Sequence, residues 1–304
     1  MSLLAALVLG VVQGLTEFLP ISSTAHVALA ARILGLPDDG MAAYTAVIQL
    51  GTLGAVLLYF ARDLGRIFVA TLAALARPQT IPAILFSTGD ALSVERPAVE
   101  GPVPAEPPLR SSQDARLGFL MVVGTVPIGV CGIAFKHFVE HELRSVWVMG
   151  SSLVVLALLL FLAERMAEHR RTMASLGLRD ALVVGGAQAL ALVPGASRSG
   201  VTLTAALFCG MKRDDAARFS FLLSIPAVLA AGVFEMKDAV ASPTLGTSGL
   251  GAVLVGTVAA FVVGYVSIAW LLRFLRTRTT LPFVVYRVIV GTLLFVAAGT
   301  GFMR

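Results

Sequence analysis

Long apolar runs alternate with short polar turns along most of the chain, and the lengths of these runs predict two kinds of helix. Six of the runs approach or exceed the ~20 residues that a helix needs to cross a bilayer. They are residues 44–60, 117–135, 146–163, 219–234, 250–272 and 283–302. We therefore expect an all-α polytopic membrane protein with six full transmembrane helices.

Two further pairs of apolar runs are too short to cross a bilayer, and a polar turn that contains proline interrupts each pair. The first pair is residues 3–12 and 25–36, with Leu19-Pro20-Ile21-Ser22-Ser23 between its halves, and the second pair flanks residues 194–202. Non-helical backbone at membrane depth is tolerated only where protein or a water-filled cavity surrounds it. Each pair therefore predicts a re-entrant helical hairpin.

The two halves of the chain repeat this order, because in each half one short pair precedes three long runs. The same residue types also recur in the short pairs, where Gln13, Pro20 and Ser22 have the counterparts Gln188, Pro194 and Ser197. An odd number of spans per repeat forces opposite orientations, which gives an inverted-topology duplication. We interpret residues 1–304 as one membrane domain, with a first repeat at 1–163 and a second at 178–304.

A proline-rich segment interrupts the first repeat at about residues 62–114. Seven of the chain's 14 prolines lie in it, namely Pro78, Pro82, Pro97, Pro102, Pro104, Pro107 and Pro108. Because prolines at this density exclude a regular helix or a central strand, we expect a surface loop on the cytoplasmic side. We assign it no chemistry.

Composition supports the membrane assignment and charge supports an orientation. The chain is 57% hydrophobic and 13% charged, whereas an average soluble chain is about 25% charged. Fifteen of its 23 Lys and Arg residues lie in the segments 61–115, 164–180, 211–218 and 273–281. The positive-inside rule makes these segments cytoplasmic, so we expect both termini outside. The net charge of +5 is then a topology signal and not a sign of nucleic-acid binding.

The turn at residues 194–202 carries groups that suit an anion. Free N–H groups and the positive dipole end at the start of the next helix favour a phosphate there, and an arginine adds a bidentate fork. The side chains that we expect to bind phosphate in this turn are Ser197, Arg198, Ser199 and Thr202. A P-loop is excluded because Val201 stands where its lysine is needed, and no strand precedes the turn.

The first hairpin carries a carboxylate, two hydroxyls and an imidazole within a short stretch. Gln13 and Glu17 share a helix face at i, i+4, and Ser22 and Ser23 precede His26 by four and three residues, so that either hydroxyl could meet the imidazole. This cluster supports nucleophilic chemistry, with Ser23 as attacker and His26 as base or acid.

Two other interpretations of that cluster stay open. Glu17 could ligate a divalent cation, Mg²⁺ or Ca²⁺, that bridges phosphate oxygens. Alternatively, Ser22 caps a helix and Glu17 pairs with Arg198 in a purely structural role. Arg287 also lies deep in an apolar run, where a charged side chain is expensive, and it supports either a function or a buried carboxylate or carbonyl.

These motifs together resemble a known family, the bacterial undecaprenyl-diphosphatases of the bacitracin-resistance type. The stretch from Gln13 to His26 resembles the family's first signature, E/Q-x-x-x-E followed by Pro-x-Ser-Ser-x-x-His, and residues 194–202 match the second, PGxSRSxxT. The resemblance extends over nearly the whole chain and includes Gln49-Leu50-Gly51 and Tyr286-Arg287. One departure is that Gln13 occupies the first position of the E/Q pair, which leaves Glu17 as the main acid.

The resemblance implies a bacterial plasma (inner) membrane phosphatase that removes the terminal phosphate of a long-chain isoprenyl diphosphate and so recycles the lipid carrier of cell-wall synthesis. It implies a site that opens to the outer face and needs a divalent cation. Glu17, Ser23, His26 and Arg198 would be catalytic, Glu17 would ligate the metal, and Ser22, Ser197, Ser199 and Thr202 would join Arg198 in binding phosphate. Gln13 and Arg287 would support them. The bilayer is then a partner, and a homodimer is one assembly open to the chain.

The mechanism that we predict has Ser23 attacking the terminal phosphorus while His26 manages the proton. Direct attack by His26 or by water is an alternative. A transporter or flippase for undecaprenyl phosphate or a small anion is the competing function, because inverted repeats with broken helices are also a transporter architecture. The cluster of hydroxyls, histidine and glutamate favours the enzyme, since anion binding alone does not require it.

Overall fold

The computed structural model describes residues 1–37, 40–86, 108–143, 145–241 and 249–301, whose regular secondary structure is helical apart from one isolated bridge between Arg171 and Met211. The α-helices of these ranges are α1 Leu3–Phe18, α2 Ser23–Ile33, α3 Met41–Tyr59, α4 Ala61–Leu75, α5 Ile81–Phe86, α6 Pro108–Ala134, α7 Lys136–His141, α8 Val146–Met166, α9 Leu178–Ala189, α10 Arg198–Phe208, α11 Arg213–Ala241, α12 Leu250–Leu275 and α13 Leu281–Gly299.

Six of these helices are long and apolar enough to cross a membrane. They are α3, α8, α12 and α13 over their whole lengths, α6 over Ser111–Ala134 and α11 over Arg213–Gly232. Each coincides with one of the six long apolar runs of the sequence. The prediction of a polytopic all-α membrane protein is thus confirmed.

The proline-rich segment is more helical than the sequence indicated. Within 62–114 the structure places α4, α5 and the start of α6, so the prediction of a surface loop is wrong for those residues. Buried Ile67, Ala70 and Ala74 form one stripe of α4 that packs on α6. Pro82 and Pro108 lie in the first turns of α5 and α6, where a missing N–H costs nothing. The prolines between residues 97 and 107 lie outside the described residues.

The short helices pack against spans of the other half of the chain. Helix α1 packs on α12 so closely that a Cβ at Gly10 would meet the carbonyl oxygen of Gly256. Helix α9 packs on α6 in the same way, and a Cβ at Gly185 would meet the carbonyl oxygen of Gly124. Helices α8 and α13 pack on each other, as do α3 and α11. Small residues at these crossings allow the backbones to approach closely.

Both short pairs are broken by a serine with an unusual backbone. The first break follows α1 and ends at Ser22 (φ 75°, ψ 99°), and the second follows a 3-10 turn after α9 and ends at Ser197 (φ 67°, ψ 106°). A positive φ is uncommon outside glycine and is typically retained where the surrounding structure enforces it, often at functional sites. The short helices α2 and α10 therefore start from nearly identical turns.

Candidate active site

The carboxylate of Glu17 is the centre of the polar cluster between the two breaks. Four side chains donate hydrogen bonds to it: Gln13 Nε2 at 2.9 Å and Ser23 Oγ at 2.6 Å reach Oε2, while Gln49 Nε2 at 3.3 Å and Arg198 Nη2 at 2.5 Å reach Oε1. Both charged side chains are largely buried, with 6% of Glu17 and 17% of Arg198 exposed. The structure thus brings the predicted carboxylate, serine and arginine together.

The position of Glu17 follows from the local sequence. Gln13 and Glu17 lie one helical turn apart on α1, as their spacing predicted, and Pro20 lies in the break that follows the helix end at Phe18. The chain then reverses at Ser22, so that Ser23 returns to Glu17 as the first residue of α2. Arg198 is likewise the first residue of α10. Two helix starts therefore converge on one carboxylate.

His26 does not meet a serine hydroxyl, which corrects the prediction from its spacing to Ser22 and Ser23. Its Nδ1 lies 2.7 Å from the backbone carbonyl oxygen of Ser22, and its Nε2 lies 2.8 Å from the hydroxyl of Tyr286. Because a carbonyl only accepts, Nδ1 carries the hydrogen, and in the neutral ring Nε2 accepts from Tyr286. The two rings also stack with centroids 5.4 Å apart.

The reason for this difference is the geometry of a helix start. In the first turn of α2 the side chain at position i+4 lies over the carbonyl of position i, so the imidazole of His26 meets the backbone of Ser22 and not its hydroxyl. That hydroxyl also makes no capping bond, although Ser22 is the N-cap residue. The structural interpretation in which Ser22 caps the helix is therefore wrong.

The hydroxyls of the second break are engaged with the protein. Ser197 Oγ accepts from the N–H of Gly200 at 3.2 Å and caps α10. Ser199 Oγ donates to the carbonyl of Leu19 in the first break at 3.0 Å, and Thr202, which is fully buried, lies 2.5 Å from Ser220. Of the groups predicted to bind phosphate here, Arg198 reaches the carboxylate of Glu17, whereas Ser199 Oγ contacts only its backbone carbonyl, at 3.3 Å. Ser199 and Thr202 would have to break these bonds to contact a ligand.

Arg287 connects both breaks to the bundle. Its guanidinium is fully buried and donates to the carbonyl oxygens of Pro20 at 3.3 Å, Ala196 at 3.0 Å and Leu153 at 3.2 Å, with a longer contact to Ser152. Orphan carbonyls at helix breaks need such donors when no water can reach them. Of the alternatives left open for Arg287, the structure supports a partner of carbonyls.

Two residues of the cluster had no assigned role in the sequence analysis. Gln49 completes the shell around Glu17, and Tyr286 contacts His26. Both belong to short stretches that carried the family resemblance, Gln49-Leu50-Gly51 and Tyr286-Arg287. That signal marked the positions without indicating which side chains they would contact.

The oxygen donors around Glu17 limit what kind of cation could bind. Within the described ranges, no three His, Cys, Asp or Glu side chains lie together as a metal site. The oxygen atoms that could coordinate a cation here belong to the Glu17 carboxylate, the Ser23 hydroxyl and the Gln13 amide. Gln13 Oε1 is buried without a hydrogen-bond partner in those ranges. An all-oxygen set with one carboxylate suits Mg²⁺ or Ca²⁺ only if phosphate oxygens complete the coordination.

Comparison with known families assigns the chain to one of them. The profile of the family described as "Bacitracin resistance protein BacA" matches residues 6–293. The chain belongs to the BacA family. The match contains both breaks and the four side chains that donate hydrogen bonds to Glu17.

Individual relatives support the family assignment over the full chain. A protein of Myxococcus xanthus named "Undecaprenyl-diphosphatase" is 50% identical over 301 residues, which cover 99% of this chain and 91% of the relative. Proteins with the same name from a Nocardioides species and from Chlorobaculum tepidum are 45% and 42% identical, and the alignments cover at least 97% of each chain. The BacA-family assignment therefore does not depend on one motif.

Proposed function

We propose that this protein is a membrane phosphatase that hydrolyses undecaprenyl diphosphate to undecaprenyl phosphate and inorganic phosphate, thereby recycling the lipid carrier of cell-wall synthesis. BacA-family membership and relatives named undecaprenyl-diphosphatase support this function. The observation that carries it is the contact of Ser23 Oγ with the Glu17 carboxylate at 2.6 Å, beside the buried guanidinium of Arg198. A hydroxyl in contact with a base, next to a fixed cation, suits attack on an anionic phosphorus centre.

The first chemical step uses Glu17 as the base. The Ser23 oxygen forms a bond to the terminal phosphorus, the bond from that phosphorus to the bridging oxygen breaks, and undecaprenyl phosphate leaves with the electron pair. The Ser23 proton passes to Glu17, its hydrogen-bond acceptor. Arg198 turns from Glu17 to the phosphate oxygens and neutralises charge that develops there. This replaces our prediction that His26 takes the serine proton.

The second step releases phosphate and restores the enzyme. Water attacks the phosphorus of the phosphoserine, the bond to the Ser23 oxygen breaks, and Glu17 returns its proton to that oxygen. Both water hydrogens leave with inorganic phosphate, so the cycle consumes one water. His26 lies one helical turn from Ser23, and its Nε2 is oriented by the Tyr286 hydroxyl at 2.8 Å.

A divalent cation remains part of the proposal. Glu17, Gln13 Oε1 and Ser23 are the groups that would hold it together with the diphosphate. When bound, such a cation neutralises phosphate oxygens and so lowers the barrier to attack by an anionic or hydroxyl nucleophile.

We further propose that the two halves are inverted repeats with re-entrant hairpins. The separation of Gln13 from Gln188 equals that of Ser22 from Ser197, and the two serines share one backbone conformation. Helix α1 of the first repeat packs on α12, the second span of the second repeat, and α9 of the second repeat packs on α6, the second span of the first. Equivalent helices of the two repeats thus pack against each other's half. The arginine distribution supports termini and site on the outer side. A reporter fused to Arg304 that is active only in the cytoplasm would contradict this orientation.

Phosphate release from C55-isoprenyl diphosphate by the purified, reconstituted protein tests the function. We expect release by the wild type and by Ser151→Ala, whose hydroxyl lies on the exposed face of α8, and loss of release in Ser23→Ala. Chelator is expected to stop release and added Mg²⁺ or Ca²⁺ to restore it. Binding of the lipid without any release would favour the transporter alternative.

A further inference from the structure

A cavity of about 320 Å³ lies away from the active site, where the ends of four helices meet. The end of α3, the start of α4, the start of α11 and the end of α12 line it. Three packed rings separate it from Glu17: Phe60 lines the cavity, Phe221 contacts both Phe60 and Phe18, and Phe18 follows Glu17 in α1. All three rings are buried. The cavity is therefore a distinct compartment.

Opposite charges alternate around the mouth of this cavity. Arg218 donates to Asp63 at 2.7 Å and lies over the ring of Phe60. Arg276 approaches Asp214 only at 3.8 Å and leaves 66% of its side chain exposed. One guanidinium is thus firmly paired, and the other is loosely held beside a carboxylate.

The lining changes from charged to aromatic along α12. Arg276 lies just past the end of the helix, and Tyr265 lies eleven residues earlier on the same lining, which is about 16 Å along the axis. Tyr59 packs edge-on against Tyr265 at 5.4 Å between centroids. Tyrosine side chains combine an apolar ring with a polar tip and so suit a ligand that has both kinds of surface. The cavity thus has the polarity gradient of an amphiphile.

We propose that this cavity binds the headgroup of a phospholipid that carries both a phosphate and a primary ammonium group. Arg276 takes the phosphate, Asp214 takes the ammonium, and the acyl chain follows the Tyr265 side of α12. The lining carries two carboxylates, Asp63 and Asp214, and two guanidinium groups, Arg218 and Arg276, so its charge is balanced and a ligand with negative charge alone leaves Asp214 unmatched. The isoprenyl diphosphate and its products are therefore poor ligands for this cavity, whereas a zwitterion matches the alternating charges.

Retention of defined lipids by the full-length protein in detergent, measured by native mass spectrometry, tests this assignment. Phosphatidylethanolamine and phosphatidylglycerol with identical acyl chains are titrated separately. We expect tighter retention of phosphatidylethanolamine, and we expect Arg276→Gln and Asp214→Asn each to weaken it about tenfold, the effect of losing one charge-assisted hydrogen bond. Arg273→Gln is the matched control, because Arg273 is exposed on the same helix and does not line the cavity.

Two results would overturn the assignment. Equal retention of both lipids would remove the role of the ammonium group. Equal loss in Arg276→Gln and Arg273→Gln would indicate non-specific surface lipid. A photoreactive phosphatidylethanolamine provides a second readout, because it should label the segment from Tyr265 to Arg276 in the wild type and lose that labelling in Asp214→Asn. Phosphate release by each variant verifies that the bundle has folded.

Discussion

The hydroxyl of Ser23 donates a 2.6 Å hydrogen bond to Oε2 of Glu17, so the proposed nucleophile and the proposed base are adjacent on either side of the first break. The break itself creates this contact, because the reversal at Ser22 returns the chain toward the end of α1. His26, the base suggested by spacing, has both ring nitrogens engaged elsewhere. We therefore propose Ser23 and Glu17, a serine with a carboxylate, as the catalytic pair.

This pairing predicts that Ser23→Ala and Glu17→Gln have non-additive effects. Each substitution is expected to lower kcat by about 10³-fold or more, as loss of a nucleophile or its base does in other hydrolases. The double variant should be no slower than the worse single variant, because either change already prevents the same step. Phosphate release from C55-isoprenyl diphosphate is the measurement, with Ser151→Ala as control. Multiplied losses, or near-normal turnover in Ser23→Ala alongside an inactive His26→Ala, would contradict the serine mechanism.

Tyr286→Phe should slow the reaction without weakening substrate binding much. Removal of the hydroxyl takes the donor away from His26 Nε2 while the ring stack remains. We expect kcat to fall about tenfold, which corresponds to one hydrogen bond of ~1.4 kcal/mol, with KM changed far less.

The direct readout for Tyr286 is the ¹⁵N chemical shift of the His26 ring nitrogens in selectively labelled protein. Nε2 should move in Tyr286→Phe and stay unchanged in Tyr44→Phe, which removes a hydroxyl from the contact of α1 with α12. An unmoved Nε2 signal in Tyr286→Phe would show that the tyrosine does not orient the imidazole.

Arg287→Met should destabilise the whole bundle before it affects chemistry. The guanidinium serves carbonyl oxygens from both breaks and from α8, and each buried carbonyl left without a donor costs ~1–3 kcal/mol. We expect a loss of at least ~3 kcal/mol in the free energy of unfolding, measured by thermal unfolding in detergent. Arg165→Met, at the exposed end of α8, is the control. Equal unfolding temperatures in the two variants would contradict the bridging role.

Acid should weaken the ion pair between Asp180, in α9, and Arg171, in the loop that precedes α9. Burial alone would raise the pKa of this carboxyl, but the two-pronged bond from Arg171 and the N–H of Gly177 outweigh burial and hold the pKa below its ordinary value. Its stabilising contribution is therefore complete above the unfolded pKa of ~3.9 and is lost as the pH falls through the lower folded value.

The corresponding measurement is thermal unfolding at pH 7 and near pH 3. Asp180→Asn should lower stability at pH 7 by about 1–2 kcal/mol and should lose less than the wild type on acidification. Glu168→Gln removes an exposed carboxyl from the loop that carries Arg171, and it should retain the wild-type dependence of stability on pH. A wild-type pH dependence in Asp180→Asn would exclude this ion pair as the acid-sensitive element.

The sequence allowed prediction of the spans and the chemical groups but not of their contacts. Six spans were predictable because a helix in lipid needs a long apolar run. Glu17 and Arg198 were recognisable because ionisable groups at such depth are unusual. Their pairing at 2.5 Å was anticipated only as an alternative, because it depends on how two breaks far apart in sequence are packed.

The errors have equally local causes. Residues 62–75 were predicted as a loop because prolines further along dominated the segment, although α4 itself contains none. Thr202 was grouped with Arg198 by proximity, and the two do share a helix face at i, i+4. The short Thr202 side chain nevertheless bonds the carbonyl of Arg198 and the hydroxyl of Ser220, whereas the long Arg198 side chain reaches Glu17. Shared spacing on a helix does not give two side chains the same partner when their lengths differ.

The contact between Arg198 and Glu17 means that the guanidinium already has an anionic partner within the protein. An incoming diphosphate must therefore take the guanidinium from a competitor that is tethered to the protein and always present. A ligand with a single negative charge, such as a carboxylate, binds the guanidinium too weakly to displace Glu17. A diphosphate headgroup, with several charges, binds it strongly enough. In the proposed mechanism, this displacement frees the carboxylate when Ser23 needs a proton acceptor, so binding of the diphosphate and activation of the nucleophile coincide.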